Sequence, residues 1–217
     1  MIDGPRIAPA SGGRAENLVV FLHGYGADGN DLIELGRQFA PILPDTAFVS
    51  PHAPELCAGS PYGRQWFPLA EVEPHRLYAD VSHAAPELDR FLDAELGRHG
   101  LTEADLALVG FSQGTMMALH VAPRRASPIA GVVGYSGLLA GPEHLTGQMR
   151  SQPPILLVHG DADPVIPAMA LNAAVRTLSG AGFPVEWHIR PGLQHGIDQQ
   201  GLDLGVDFLR RVLGYVV

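Results

Sequence analysis

Leu106-Ala-Leu-Val-Gly-Phe-Ser-Gln-Gly-Thr-Met-Met-Ala-Leu-His120 is the stretch whose reading decides the fold. Residues 106–109 form a short apolar run that reads as a buried strand, and residues 115–121 read as a helix. Between them lies Gly110-Phe-Ser112-Gln-Gly114, a Gly-x-Ser-x-Gly turn. Glycines and serines meet by chance in many tight turns, so the motif takes its meaning from the strand before it and the helix after it. In that setting the flanking glycines let strand and helix pass closely, and the Ser112 hydroxyl is raised at the carboxyl end of the strand. The helix start aims free N–H groups and the positive end of its dipole at the same place.

Working outward, Asn-Leu-Val-Val-Phe-Leu at 17–22 is an unbroken apolar run, as expected of a strand buried on both faces. Further strands are expected at 46–50, 129–135, 154–159 and 184–190. Helices are expected from a cap at 28–30 through Ala40, over 75–98, from Pro167 to about Ser179, and over 199–213. Pro86 should kink the second of these or split it in two. Residues 1–16 read as a loose opening segment. Residues 51–74 read as a long irregular loop carrying Leu56, Trp66 and Phe67, whose aromatics argue against disorder. Strands alternate with helices throughout, which predicts an α/β fold with a mostly parallel central sheet and helices on both faces. The 217 residues suit one domain spanning 1–217, and the connection at 136–152 is too short for a cap domain.

Composition removes several functions. The net charge of −9 argues against nucleic acid and against an anionic membrane surface as partners. All fourteen basic residues are arginine, so Schiff-base chemistry, a Ser–Lys dyad and a P-loop lysine are excluded. Cys57 is the single cysteine, which rules out an internal disulfide and a cysteine metal cluster. Neither a signal-peptide pattern nor a membrane-length apolar run is visible, so the expected location is the cytoplasm.

Ligands of open α/β sheets bind beyond the carboxyl ends of the strands. The polar residues expected there are His23, His52, Ser112, Ser136, Asp163 and His195. Three of them follow the order Ser…Asp…His, the triad order of α/β-hydrolases. Ser112 needs a base to remove its proton; His195 would do this, with Asp163 fixing its tautomer. Asp161 is a rival two residues earlier; Pro164, opening a new turn, favours Asp163 toward the site and Asp161 as a structural group. Of the ten histidines, only His195 lies after the last strand and before the last helix, whereas His23 and His159 precede glycines where an imidazole often shapes a loop. No histidine pair has metal-site spacing. The backbone N–H groups of Tyr25 and Gln113 are the candidate oxyanion donors. Leu56, Trp66, Phe67 and Leu138 are candidates to wall an acyl pocket, and the aromatics are equally suited to pinning their loop to the core.

Phe21-Leu-His-Gly-Tyr-Gly26, Gly110-Phe-Ser-Gln-Gly114, Ser136-Gly137, His159-Gly-Asp-Ala-Asp-Pro-Val-Ile-Pro167 and His195-Gly-Ile together resemble the carboxylesterase/lysophospholipase family that includes the acyl-protein thioesterases. The resemblance spans nearly the whole chain. It implies a cap-less α/β-hydrolase fold, a Ser112–His195–Asp163 triad and an oxyanion hole at Tyr25 and Gln113. It also implies action on small-molecule carboxylic esters of short to medium acyl chain, with thioesters or lysophospholipids as alternatives, without a cofactor, and with a homodimer as one form of assembly. A binding protein on the same scaffold is the reading from another class. Two positions depart from the family pattern: Pro68 follows Trp66-Phe67 where aspartate is common, and Thr115 follows Gly114 where a small residue is common.

Overall fold

The computed structural model describes residues 2–58, 62–69 and 74–215. In chain order the strands and helices are β1 (Arg6–Ile7), β2 (Asn17–Leu22), α1 (Gly29–Phe39), β3 (Thr46–Val49), β4 (Glu55–Leu56), β5 (Arg64–Gln65), α2 (Pro74–His99) and β6 (Leu106–Phe111). They continue with α3 (Gln113–Val121), β7 (Gly131–Tyr135), α4 (Leu145–Gln148), β8 (Ile155–Gly160), α5 (Met169–Gly180), β9 (Val185–Arg190) and α6 (Gln199–Val212). The main sheet has the order β1-β3-β2-β6-β7-β8-β9, parallel throughout except for β1.

The apolar runs are continuous because both faces of the sheet are covered. Leu18, Val20, Leu22, Leu106, Leu108 and Leu157 point into one core layer with α2, α3 and α5. Their neighbours Val19, Phe21, Ala107, Val109, Leu156 and Val158 point into the other, with α1 and α6. Alternate residues of a strand face opposite sides, so a strand covered twice has no polar positions left. The register sets Leu22 beside Gly110 and Phe111 beside Tyr135. The strand ends therefore bring residues 23, 112, 136 and 160 to one edge.

Three features differ from the sequence reading. The opening segment is not loose: β1 pairs antiparallel with β3, and Arg6 grips the buried Glu95 with bonds of 3.0 and 2.7 Å. The long loop contains a small hairpin of β4 and β5, while 59–61 and 70–73 lie outside the described residues. Pro86 does not split α2, which is a single 26-residue helix. Leu77, Val81, Leu88, Leu92 and Leu96 hold its apolar side in the core, and that packing outweighs the one backbone bond a proline removes. Among the described residues no helix is long and apolar enough to cross a membrane.

Candidate active site

Ser112 stands between β6 and α3 with φ of 53° and ψ of −114°, a positive-φ conformation that non-glycine residues rarely adopt. Its N–H donates to Tyr135 O at 2.9 Å, which ties the turn to the end of β7. The glycines of the motif are required by packing. A Cβ at Gly114 would lie 1.8 Å from Leu22 O, and one at Gly110 would lie 2.5 Å from Thr115 N. Thr115, one of the two departures from the family pattern, is used structurally. Its hydroxyl lies 2.8 Å from Gly110 O and 2.9 Å from Tyr135 O, so it joins the ends of β6 and β7.

His195, on the loop between β9 and α6, places Nε2 3.0 Å from Ser112 Oγ and Nδ1 2.7 Å from Asp163 Oδ2. An ionised carboxylate only accepts, so Nδ1 carries the proton and Nε2 is free to accept the serine O–H. Burial alone would push the Asp163 carboxyl up. The bond from His195 and the N–H groups of Ile166 and Val165 overcome this and hold it below its ordinary value. Those two N–H groups reach Asp163 Oδ1 at 2.9 and 2.8 Å.

Asp161 faces elsewhere, accepting Gly192 N–H at 2.6 Å and fixing the loop that leads to His195. Ser136 supports the same loop through Oγ to Gly196 O at 3.2 Å. His159 is buried beneath the carboxylate. Its Nε2 donates to Ile166 O at 2.8 Å and lies 3.2 Å from Asp163 Oδ2.

The turn after β2 runs beside Ser112, since a Cβ at Gly24 would lie 3.4 Å from Ser112 Cβ. His23, fully buried, shapes that turn. Its Nε2 accepts Ala53 N–H at 3.0 Å, so Nδ1 must donate to Gly24 O at 2.8 Å, and burial pushes its pKa down. His52 accepts Gly29 N–H at 3.1 Å and serves the start of α1. The Tyr25 side chain is half exposed. The Gln113 N–H belongs to the first turn of α3, where no intrahelical acceptor exists.

The Gln113 side chain has a separate task. Its Oε1 accepts Trp66 N–H at 2.8 Å and its Nε2 donates to Phe67 O at 2.7 Å. Trp66 Nε1 donates in turn to His23 O at 2.9 Å. The two aromatics are thus fastened into the core beneath the turn.

A cavity of about 530 Å³ opens from Ser112 between α2, α3, α5 and the loop after Asp163. Leu138 lines it, as the sequence suggested, together with Leu77, Met116 and Ile166. Leu56, Trp66 and Phe67 do not. Leu56 projects into solvent from β4, and the two aromatics are buried against His23 and the core. Pro68 is exposed and borders a separate surface pocket with them, one that Ser112 does not line. Val165 and Ile166, which the sequence reading did not single out, follow Asp163 closely in the chain, whereas Met116 and Leu77 carry the same helical spacing as core residues.

The sequence profile of the phospholipase/carboxylesterase family matches residues 4–213. The chain belongs to that family. Esterase YpfH of Escherichia coli (strain K12) is 31% identical over 196 residues, covering 90% of this chain and 83% of the esterase. Acyl-protein thioesterase 1 of Gibberella zeae is 25% identical, covering 96% and 95%. Among solved structures, esterase PE8 superposes with a TM-score of 0.94 at 43% identity, covering 98% of this chain and 99% of PE8. As a member of the phospholipase/carboxylesterase family, the protein is an α/β-hydrolase that acts on ester bonds.

Proposed function

We propose that this protein hydrolyses carboxylic esters of short to medium acyl chain, with Ser112 as nucleophile, His195 as base and then acid, and Asp163 orienting His195. The reading rests on one observation: two hydrogen bonds run in series from Asp163 through His195 to a serine that opens onto an apolar cavity. Ser112 Oγ attacks the ester carbonyl carbon while its proton passes to His195 Nε2. The ionised Asp163 stabilises the imidazolium. Negative charge on the former carbonyl oxygen is met by the N–H groups of Tyr25 and Gln113, at the positive end of α3. Collapse breaks the ester C–O bond, and the alcohol leaves with the proton from His195. Water then attacks the acyl-serine with His195 again as base, releasing the acid and restoring Ser112. Leu138, Met116 and Ile166 contact the substrate chain beside the reacting carbon. Every bond and proton is accounted for by these side chains, ester and water, so the reaction as written needs no cofactor.

The experiment is a p-nitrophenyl ester series from acetate to palmitate on wild type and Ser112→Ala. Turnover should peak at short to medium chains and fall by about 10⁵-fold or more in the variant. Retained activity in Ser112→Ala overturns the assignment. Likeness to acyl-protein thioesterase 1 supports a second reading, in which the cavity holds the acyl chain of a thioester or lysophospholipid. Matched oxygen and sulfur esters, with a lysolipid as a third substrate, separate the two.

A further inference from the structure

The cavity that begins at Ser112 runs along α5, whose residues Met169, Asn172, Ala173 and Arg176 share the face that lines it. α5 follows β8 and returns antiparallel to it, so its first turn lies near the strand ends and Arg176 lies two turns away. At 1.5 Å rise per residue, Met169 and Arg176 are about 10 Å apart along the helix. Nearly all the wall between is apolar: Leu69, Leu77, Met116, Leu138 and Ile166 contribute side chains without a charge. Arg176 is the one charged side chain among the described residues that line the cavity. It is solvent-exposed, and its guanidinium has no ion pair or hydrogen bond among the described residues. The molecule as a whole carries −9, which makes an unneutralised cation at this place more distinctive.

We propose that Arg176 selects esters whose cavity-filling chain ends in an anionic group. This rests on the esterase reading above and specifies its substrate class. An extended chain advances about 1.2 Å per bond, so about eight bonds span the stretch of wall between Met169 and Arg176. The apolar wall holds the methylenes, and the guanidinium, a planar donor with five N–H groups, receives a carboxylate or phosphate at the far end. The pair is exposed to water, so its effect is modest, about two- to fivefold in kcat/KM. Such a chain belongs either to the acid, as in a half-ester of a dicarboxylic acid, or to the alcohol. The recognising chemistry is the same in both.

The test compares anionic with neutral substrates of equal length at low ionic strength. One series is the p-nitrophenyl half-esters of six-, eight- and ten-carbon dicarboxylic acids against the neutral p-nitrophenyl esters. The other is ω-carboxyalkyl acetates against alkyl acetates. The quantity read is the anionic-to-neutral ratio of kcat/KM in wild type, Arg176→Ala and Arg176→Glu. In one of the two series, which identifies the side bearing the charge, the ratio should fall two- to fivefold in Arg176→Ala. It should fall further in Arg176→Glu, and the wild-type advantage should shrink with added salt. An arginine that only covers apolar surface with its stem leaves the ratio the same in all three enzymes, and that result overturns the proposal. Failure of the esterase reading looks different: neutral esters would then show no turnover that depends on Ser112.

Discussion

His159 and Asp163 meet below the site: Nε2 of the buried imidazole lies 3.2 Å from Oδ2, the carboxylate oxygen that His195 Nδ1 meets at 2.7 Å. The same Nε2 donates to Ile166 O, while Ile166 N–H bonds Asp163 Oδ1. Ile166 is held from both sides of its peptide unit, and its side chain lines the cavity. On the mechanism proposed above, His159 acts as a positioning residue through Asp163 and Ile166.

Replacing His159 with Phe should lower kcat about ten- to hundredfold, the scale expected when a reacting group is slightly misplaced. With the Nε2–H gone from beside Oδ2, more of the carboxylate charge acts on His195, so the acidic limb of the kcat/KM profile should move to higher pH. His159→Gln, which keeps an N–H donor, should recover part of both effects. Melting curves establish that each variant is folded. A folded Phe variant with wild-type kcat and pH profile would refute the role.

Gln113→Ala keeps the backbone N–H at the candidate oxyanion position but removes the link to the aromatic segment. Trp66 N–H and Phe67 C=O would lose their partners in a dry core, at about 1–3 kcal/mol each. The expected result is a melting temperature lower by about 5–10 °C. kcat should also fall, because Trp66 supports the His23 carbonyl. An unchanged melting temperature would show that the segment is held by packing alone.

Acid should weaken the fold through histidines that are neutral when folded. His120 on α3 is buried with Nδ1 unpartnered among the described residues, and burial, with Arg124 nearby, pushes its pKa down from 6.5 to about 4. Between those values the unfolded chain binds a proton that the folded one does not, so stability falls as pH drops from 6.5 toward 4, by about 3 kcal/mol for this residue. His23 is shifted in the same direction by burial. Asp163 acts in a lower window: its depressed carboxyl contributes stability that is lost only as pH falls below 3.8. Urea midpoints across pH 7 to 4 should therefore decline, and more gently in His120→Gln. Equal slopes would assign the decline to other groups.

The parts of the fold that the sequence made legible are those where one physical demand dominates. The strand at 17–22 reads correctly because a doubly covered strand is apolar wherever it is buried, here from Leu18 to Leu22. Asp163 separated from Asp161 because Pro164 forces a turn immediately after it, leaving Asp161 to hold Gly192. Trp66 and Phe67 were ambiguous for a different reason. Large aromatics suit a pocket wall and a core equally, and only the bonds to Gln113 and His23 decide between them. Arg6 gave no local sign of a strand, because its partners, Val49 on β3 and Glu95 on α2, lie far away in the chain. The cavity wall was hidden by the same principle, since Leu77 and Met116 repeat with the spacing of ordinary core residues.

The positive-φ backbone at Ser112 is a sparsely populated conformation that costs a side chain about 1–3 kcal/mol, and the surrounding sheet enforces it. The residue that gives the site its hydroxyl is thus one that the scaffold would hold more comfortably as glycine. Selection for heat resistance alone would favour losing the proposed nucleophile, and on the proposed mechanism selection for turnover keeps it. A lineage that had given up its chemistry and kept the scaffold should show that history first at this position.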